Sequence, residues 1–329
     1  MRRIERKRES LHYTFDFRHA PLLKVKLGES FVLETEDAAS GTYRTPEDAA
    51  QLPDPPYRRH NPPKANPVTG PVYIEGVEPG DTLVVHVEQL EIDPQGVTYW
   101  RPGHKPLGDS AHWRDLSTPT LVIGSVQDRE VVMQEAITWE QGAAKRHALG
   151  LRVRKSPFIG TIGVAPEREV ETSIFGQGSW GGNLDVRDMR PGTRVLIPCY
   201  HPGALLYVGD VHACQGDTEF YGTAMETRGV VTLRCEVIKH KRVSFLRLEK
   251  DGSIISLACA RPLEEAVWRA SVQLMEWLIN EYQCSQRQAY LLLGVNPDFQ
   301  VNVYQMALMG KLQYTVGAEI SKRSLPGLT

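Results

Sequence analysis

The stretch GDVHACQGDTEF, residues 209–220, places acid, imidazole and thiol groups within a single hairpin-sized segment. On a strand, residues two apart share a face, so Asp210 and His212 project the same way. If residues 214–217 form the connecting loop, Glu219 lies opposite His212 on the next strand. An imidazole and carboxylates on one side of a ribbon suit a divalent cation with an open position for water. The stretch predicts a cation or proton-transfer site, which a register shift of one residue would disperse.

Three alternatives stay open at this stretch. Glu226 has the opposite parity from Glu219 and joins the set only if Gly222 supports a bulge. Cys214 follows His212 closely and allows a cysteine nucleophile, although nothing indicates an electropositive pocket that would lower the thiol pKa. The charged groups also fit a satisfied polar network at a solvated hairpin edge. Spacing alone does not decide between these interpretations.

A second stretch, GQGSWGGNLDVRDM at residues 176–189, carries four glycines before Asn183 and Asp185. Glycine permits close backbone approach to a small substrate, and the two polar side chains offer a donor and an acceptor. A plain loop with an Asx turn is the more common structure for such a pattern. Glu34 and Asp37 are left without a role, because acids at strand ends usually cap the backbone or face solvent. The loop histidines His60, His104 and His112 are also left without a role.

Composition bounds the class of protein. The chain has 329 residues, a net charge of −2 and a pI near 6.6, which disfavours nucleic-acid and membrane partners. Five cysteines, widely spaced and without a C-x-x-C pair, favour reduced thiols over a disulfide framework. We find no apolar run long enough for a signal or a spanning helix. These features predict a cytoplasmic globular protein.

The chain changes its periodicity near residue 261. Before that point, three segments repeat a glycine turn followed by an alternating strand, beginning near Leu27, Pro79 and Arg190. After it, apolar residues recur at helical spacing from Pro262, and Ser285 with Gln288 forms a capping-box pattern. We expect a mainly β protein with stacked sheets in a sandwich-like core and a helical C-terminal layer. Residues 1–260 form the core, with a long proline-rich loop at about 44–71, and residues 261–329 pack on it as one integrated unit.

Several longer motifs carry a family resemblance. In order along the chain they are GPVYIEGVEPGDTLVVHVEQLEI, PFIGTIGVAP, GGNLD and HPGALLYVGDVHACQGDTEFYGTAME. Together they resemble the acetamidase/formamidase family of amide hydrolases. The resemblance runs from about residue 11 to at least the second C-terminal helix. It implies a β-rich fold, hydrolysis of a short-chain aliphatic amide to carboxylate and ammonia, a divalent metal, and a homo-oligomer of two or more subunits.

The resemblance also assigns site residues. The family's G-G-N-x-D and G-D-x-H-A-x-Q-G-D-x-E motifs fall on the two stretches above. The predicted metal ligands are Asp185, Asp210 and His212, with zinc favoured and calcium as the alternative. The predicted catalytic residues are Glu219, as proton shuttle, with Asp217 and His212. The predicted substrate-binding residues are Asn183, Gly181, Gly182 and Gln215.

The chain departs from the family pattern at a few positions. Thr218 stands where glycine is usual, Cys214 where alanine is frequent, and His86 where an acid is frequent. Bulk beside the site affects acyl-group preference, so the identity of the amide is the least determined point. A G-x-S-x-G nucleophile elbow before a helix is absent, which disfavours a serine hydrolase. A non-catalytic, metal-stabilised β-sandwich binding protein and a cysteine-type hydrolase using Cys214 remain as alternative functions.

Overall fold

The computed structural model describes residues 1–101, 113–307 and 309–325, and β-strands dominate all three ranges. Two α-helices lie near the C-terminus: α1 Leu263–Glu281 and α2 Gln286–Val295. The strands in chain order are β1 Arg2–Ile4, β2 Leu11–His12, β3 Thr14–Phe15, β4 Leu23–Val25, β5 Ser30–Thr35, β6 Val68–Ile74, β7 Thr82–Ile92, β8 Gln95–Trp100, β9 Thr120–Val126, β10 Glu130–Glu140, β11 Ala143–Arg154, β12 Phe158–Gly163, β13 Glu171–Thr172, β14 Gln177–Gly178, β15 Gly181–Asn183, β16 Arg194–Pro198, β17 Leu206–Cys214, β18 Met225–Thr227, β19 Gly229–Ile238, β20 Arg247–Glu249, β21 Ser253–Ala260, β22 Phe299–Gln305 and β23 Tyr314–Ser321.

Within these ranges the strands form two large sheets and one small one. A nine-stranded sheet has the order β1-β5-β19-β7-β16-β20-β21-β23-β22. A twelve-stranded sheet has the path β11-β10-β9-β8-β18-β17-β12-β15-β14, and β6 joins it by pairing with β17, β2 and β4. Strand β13 pairs with β3 alone. The main apolar core combines β7 and β19 of the first sheet with β12 and β17 of the second, so the predicted stacked-sheet architecture is confirmed.

The three predicted turn-then-strand segments are β5, β7 and β16, and all belong to the nine-stranded sheet. Each follows a glycine with positive φ: 78° at Gly28, 91° at Gly80 and 91° at Gly192. Such angles are favourable for glycine and costly for other residues. The glycine turns therefore begin strands that lie close together, with β7 pairing directly with β16.

The C-terminal region contains the predicted helices and also two strands that sequence analysis missed. Helix α1 buries Leu274 and Trp277 in an apolar cluster shared with β21 and β23. The capping box of α2 is present, because the side chains of Ser285 and Gln288 each accept the other's backbone N–H. Strands β22 and β23 then return to pair beside β21. The predicted helical C-terminal layer is therefore confirmed, and the last residues of the region additionally complete the sheet.

The proline-rich segment is shorter than expected. It contains two short 3-10 turns, Pro46–Gln51 and Pro56–Arg59, and ends where β6 begins at Val68. The second turn brings Tyr57 into a buried aromatic cluster with Tyr99. No helix among the described residues has the length and apolarity needed to cross a bilayer.

Candidate active site

The predicted hairpin after His212 has a different register. Strand β17 pairs with β18, and His212 lies directly opposite Glu226. Residues 217–219 form a 3-10 turn instead of the start of a strand, with Thr218 at a φ of 76°. The connection between the strands is therefore longer than residues 214–217, and the predicted pairing of Glu219 with His212 is wrong. Glu226 enters the site by facing His212 across the ladder, which is the position that antiparallel pairing makes closest.

Glu219 also lies in the cluster around His212, because of the 3-10 turn and not because of strand pairing. The turn holds its backbone at a φ of 45° and buries its side chain. Positive φ is unfavourable for a non-glycine residue and concentrates at functional sites. As a result, one carboxylate oxygen of Glu219 lies within 4.8 Å of ligand atoms of Asp185 and His212.

Asp185 and Asp210 approach each other around Gly160. Both have left-handed backbones, with φ of 54° and 55°, so Asp210 departs from regular strand geometry within β17. A Cβ added to Gly160 would lie 2.9 Å from Oδ1 of Asp185 and 2.9 Å from Oδ2 of Asp210. The absence of a side chain at Gly160 therefore creates the space in which the two carboxylates lie.

His212 lies at the centre of the cluster and is completely buried. Its Nε2 is 3.2 Å from Oδ1 of Asp210 and 3.0 Å from Oε2 of Glu226. Its Nδ1 lies 3.0 Å from Oε1 of Gln215, whose amide nitrogen donates to the backbone carbonyls of Asp185 and Tyr304. Gln215 therefore fixes the ring orientation and leaves Nε2 facing the acids.

The buried ionisable groups strongly shift one another's pKa values. Burial, and then the charge of Asp210, raise the pKa of Asp185 to about 8. Burial also raises the pKa of Glu226 to about 7, and burial with the charge of Asp185 raises the pKa of Glu219 well above its usual value. Burial opposes ionisation of Asp210 as well, but the charge of His212 and its hydrogen bond leave the pKa of Asp210 lowered. The carboxylates thus need positive charge, either as protons or as a cation.

The pKa of His212 is raised, whereas burial alone would lower it. Burial disfavours the imidazolium, but the charges of Glu226 and Asp210 outweigh burial and raise the pKa of His212 well above its usual value. In the part of the chain that the structure describes, no Lys or Arg forms an ion pair with any of these four carboxylates. His212 is therefore the one basic side chain that balances them within the described ranges.

The donor atoms fit a divalent cation. Two overlapping sets bring three ligand atoms within 4.8 Å of one another: Asp185, His212 and Glu219, and Asp210, His212 and Glu226. Two buried oxygens, Oδ1 of Asp185 and Oε2 of Glu226, accept no hydrogen bond. Glu226 Oε2 is close to Nε2 of His212 but lies outside hydrogen-bonding geometry. Unpaired buried carboxylate oxygens beside an imidazole are the N/O set that zinc accepts, and carboxylate oxygens also suit calcium.

A small cavity of about 50 Å³ borders the cluster. Asp210, Glu219 and Glu226 line it, whereas Asp185 and His212 lie behind that wall. Asn66 also lines it, with its Nδ2 donating to Thr161 and its buried Oδ1 without a donor. A water needs roughly 10–15 Å³ of such space, so the cavity has room for about four waters or a short organic molecule.

The predicted substrate-binding residues lie near the cluster but make different contacts. Asn183 lines the cavity, yet its Oδ1 accepts from Thr161 and its Nδ2 donates to the carbonyl of Ile174. Gly181 and Gly182 are buried in β15, where an added Cβ would lie 2.2 Å and 2.1 Å from backbone oxygens. Their lack of side chains serves strand packing, and they do not line the cavity. Gln215 orients His212, as described above.

Asp217 lies away from the cluster. Its side chain is 62% exposed and forms an ion pair with Arg187. The 3-10 turn that carries Glu219 inward turns the Asp217 side chain toward solvent. The structure therefore does not bring Asp217 together with the other predicted catalytic residues, Glu219 and His212.

The remaining candidates are mostly remote. Cys214 does not line the cavity but borders an adjacent hollow that shares Glu219 with it, and burial raises the pKa of the Cys214 thiol to about 11, which disfavours a thiolate nucleophile. Glu34 pairs with Arg3, and buried Asp37 pairs with Arg44. His60 is exposed at the end of a 3-10 turn. His104 and His112 lie outside the described residues.

Sequence analysis missed Gln305, Asn66 and Thr161 at this site. Gln305, from β22, donates a hydrogen bond of 2.6 Å to Oδ2 of Asp185. Thr161, from β12, lies 3.1 Å from Oδ2 of Asp210. The position of Thr161 within the PFIGTIGVAP motif was a usable signal, but neither the loop residue Asn66 nor the C-terminal Gln305 belongs to any chemical motif.

The chain combines stacked β-sheets with a buried acid–imidazole cluster beside a small cavity, and comparison with known proteins identifies its family. The chain belongs to the Acetamidase/Formamidase family, whose profile matches residues 2–175 and 173–256. It is similar to the crystal structure of an acetamidase from Bacillus halodurans, with a TM-score of 0.80, 29% identity and 96% of each chain covered. An acetamidase structure from Yersinia enterocolitica gives a TM-score of 0.76 and 28% identity, covering 96% of this chain and 89% of that one.

Sequence relatives agree with the structural ones. The acetamidase of Mycolicibacterium smegmatis is 26% identical over an alignment of 223 residues, with 52% of this chain and 53% of the relative covered. The chain spans about half the length of the curated relatives it matches. Family membership and fold therefore extend over most of the chain.

Proposed function

We propose that this chain hydrolyses short-chain aliphatic amides, of the formamide or acetamide type, to a carboxylate and ammonia with the help of a divalent cation. The observation that carries this proposal is the convergence of Asp210 and Glu226 on Nε2 of His212 at 3.2 and 3.0 Å, in the wall of a small cavity. The family and its acetamidase relatives supply the reaction class.

The cation site is centred on His212. Asp210 and Glu226 both contact its Nε2 and both line the cavity, so these three residues would hold the ion. This set replaces Asp185 of the sequence-based expectation by Glu226 and keeps Asp185 as a neighbouring acid, with zinc as the first candidate and calcium as the second. A bound divalent cation supplies Lewis acidity toward the amide carbonyl and lowers the pKa of water from about 15.7 to roughly 7.

Glu219 is positioned to move the proton. Its carboxylate lines the cavity, and burial and the charge of Asp185 raise the pKa of Glu219 well above its usual value, which favours a carboxyl group that can hold and release a proton. Glu219 accepts a proton from water as the water oxygen bonds to the carbonyl carbon, and donates it to the leaving nitrogen as the C–N bond breaks. The unpaired Oδ1 of Asn66 accepts an N–H of the amide.

Metal analysis combined with an ammonia-release assay on formamide and acetamide tests this proposal. Protein purified without chelator is expected to contain a divalent metal and to release ammonia. Exhaustive chelation should abolish release, and addition of zinc should restore it. Asp210→Asn should lose both metal and activity, whereas Glu219→Gln should keep the metal and lose turnover. Full activity after complete metal removal would disprove the metal-assisted mechanism.

Assembly and location are further parts of the proposal. We propose a homo-oligomer on the basis of the family resemblance, and the composition-based expectation of a cytoplasmic location stays part of the proposal. Light scattering coupled to size-exclusion chromatography tests the assembly, and a mass equal to one chain would refute it.

A further inference from the structure

The cavity has a second set of charged lining residues that the proposed reaction does not use. Besides the acids, its lining includes Tyr57, Arg58, Tyr99 and Arg101. Arg101 follows strand β8 and its side chain is only 7% exposed. Its NH2 group donates to the Tyr57 hydroxyl at 3.3 Å, and its guanidinium lies 5.7 Å from the Tyr99 ring centroid. These two aromatic contacts hold the guanidinium at the cavity.

The guanidinium of Arg101 lacks a counter-ion among the residues described. Its Nε and NH1 atoms are buried and donate no hydrogen bond. Within the described ranges no carboxylate oxygen lies within 4.0 Å of its nitrogens, including those of Asp210, Glu219 and Glu226 in the same cavity. Because burial of a charge without a counter-ion is unfavourable, an anion that enters the cavity would be favoured beside Arg101, which lacks a counter-ion among the described residues.

Arg58 adds a second guanidinium group to the lining. It lies on the 3-10 turn Pro56–Arg59 and its side chain is exposed at the cavity. Three carboxylates, with His212 behind them, and two guanidinium groups therefore share one cavity. A neutral amide such as formamide interacts with the acids and leaves Arg101 without a counter-ion from the described part of the chain.

We propose that Arg101 binds a carboxylate on the acyl side of the substrate, so that the preferred substrates are short amides of dicarboxylic acids, with the amide at the His212 end and the carboxylate at the Arg101 end. This inference rests on the proposed amide hydrolysis and specifies its substrate class. Guanidinium groups recognise planar carboxylates through paired N–H donors, and Arg101 has such donors free. The cavity volume of about 50 Å³ restricts the acyl chain to a few atoms.

The test compares malonamate with malonamide, which replaces the carboxylate by a neutral amide of the same size. For the zinc-loaded wild-type protein we expect kcat/KM for malonamate to exceed that for malonamide, counted per amide group, by at least about tenfold. Arg101→Met should lower kcat/KM for malonamate on the order of 100-fold and change that for malonamide by less than about threefold. Arg101→Lys should retain an intermediate preference. Arg59→Gln, an exposed residue on the neighbouring turn, is the matched control and should change neither substrate.

Two outcomes would overturn the inference. Equal loss on both substrates in Arg101→Met would mean that Arg101 acts on the common amide, and equal wild-type kcat/KM values would mean that no acyl anion is recognised. If no amide is hydrolysed, the proposed function fails but the anion site is still testable. Malonate should then raise the Tm of the wild-type protein and not that of Arg101→Met, and equal shifts would refute the site.

Discussion

Replacing Asp185 by Asn is expected to stabilise the metal-free protein, although it removes a buried acid from the site. The folded pKa of Asp185 is about 8 and its ordinary value is 3.8, so at pH 7 folding requires this group to take up a proton. At about 1.36 kcal/mol per pH unit, the cost at pH 7 is about 4 kcal/mol relative to a group that does not titrate. Asn carries no charge, and its carbonyl oxygen can still accept from Gln305.

The direction in which stability changes with pH follows from proton binding at Asp185. Between pH 4 and pH 8 the folded state of the wild-type protein binds more protons at Asp185 than the unfolded state does, so its stability falls as the pH rises through this window. The advantage of Asp185→Asn should therefore be small near pH 4 and reach between about 2 and about 4 kcal/mol at pH 7. Saturating zinc should reverse the order, because the wild-type protein binds it more tightly and gains more stability from binding.

Urea denaturation after dialysis against chelator, at pH 4.5 and pH 7, measures this difference. Asp188→Asn is the matched control, since Asp188 is also buried from much of the solvent but is paired with Lys250 and Tyr304. Burial opposes its ionisation, yet these hydrogen bonds leave the pKa of Asp188 lowered. Its replacement should therefore destabilise the protein at pH 7. If Asp185→Asn also destabilises the metal-free protein at pH 7, the electrostatic description of the cluster is wrong.

Three further predictions follow from the same contacts. Gly160→Ala should weaken zinc binding by about tenfold or more, because its Cβ would lie 2.9 Å from both the Asp185 and Asp210 carboxylates; Gly252→Ala, with open space around it, should not change the affinity measured by competition with a chelator. Gln305→Leu should lower kcat for acetamide by about tenfold and weaken metal binding, because it removes the contact with Asp185. Gln300→Leu, on the exposed side of β22, should leave kcat and metal binding unchanged. Equal effects of the two substitutions would contradict a role for the Asp185 contact. Cys214→Ala should retain ammonia release within about twofold, since burial raises the pKa of this thiol to about 11; loss of turnover with the metal still bound would restore the cysteine mechanism.

The sequence predicted those parts of the site that depend on local spacing. Asp210 and His212 converge as their two-residue spacing predicted, although Asp210 itself has a left-handed backbone, and the glycine turns begin the expected strands. The prediction from sequence failed where the backbone departs from regular strand geometry. Thr218 and Glu219 adopt positive φ, which lengthens the connection and moves Glu226 opposite His212. Strand periodicity contains no signal for such a turn.

Contacts between distant segments were also beyond sequence reasoning. Gln305 lies in β22, the last strand in the order of the nine-stranded sheet. It contacts the carboxylate of Asp185, from which it is separated by 120 residues of sequence. Arg101 and Asn66 meet at one cavity through the packing of a loop against β8, and nothing in their sequence neighbourhoods marks them. A chemically ordinary side chain becomes a site residue through tertiary placement alone, which local patterns do not encode.

The pairing of β21 with β23 has a consequence for the order of biosynthesis. Ala260 pairs with Tyr314, so the strand edge of β21 has no partner on this side until the C-terminal strands leave the ribosome. At about 5–20 residues per second, translation takes several seconds to cover that distance, during which Asp185 lacks Gln305. Maturation of the acid cluster should therefore be a late, largely post-translational event, and a nascent chain stalled before Gln305 would not capture zinc with native affinity.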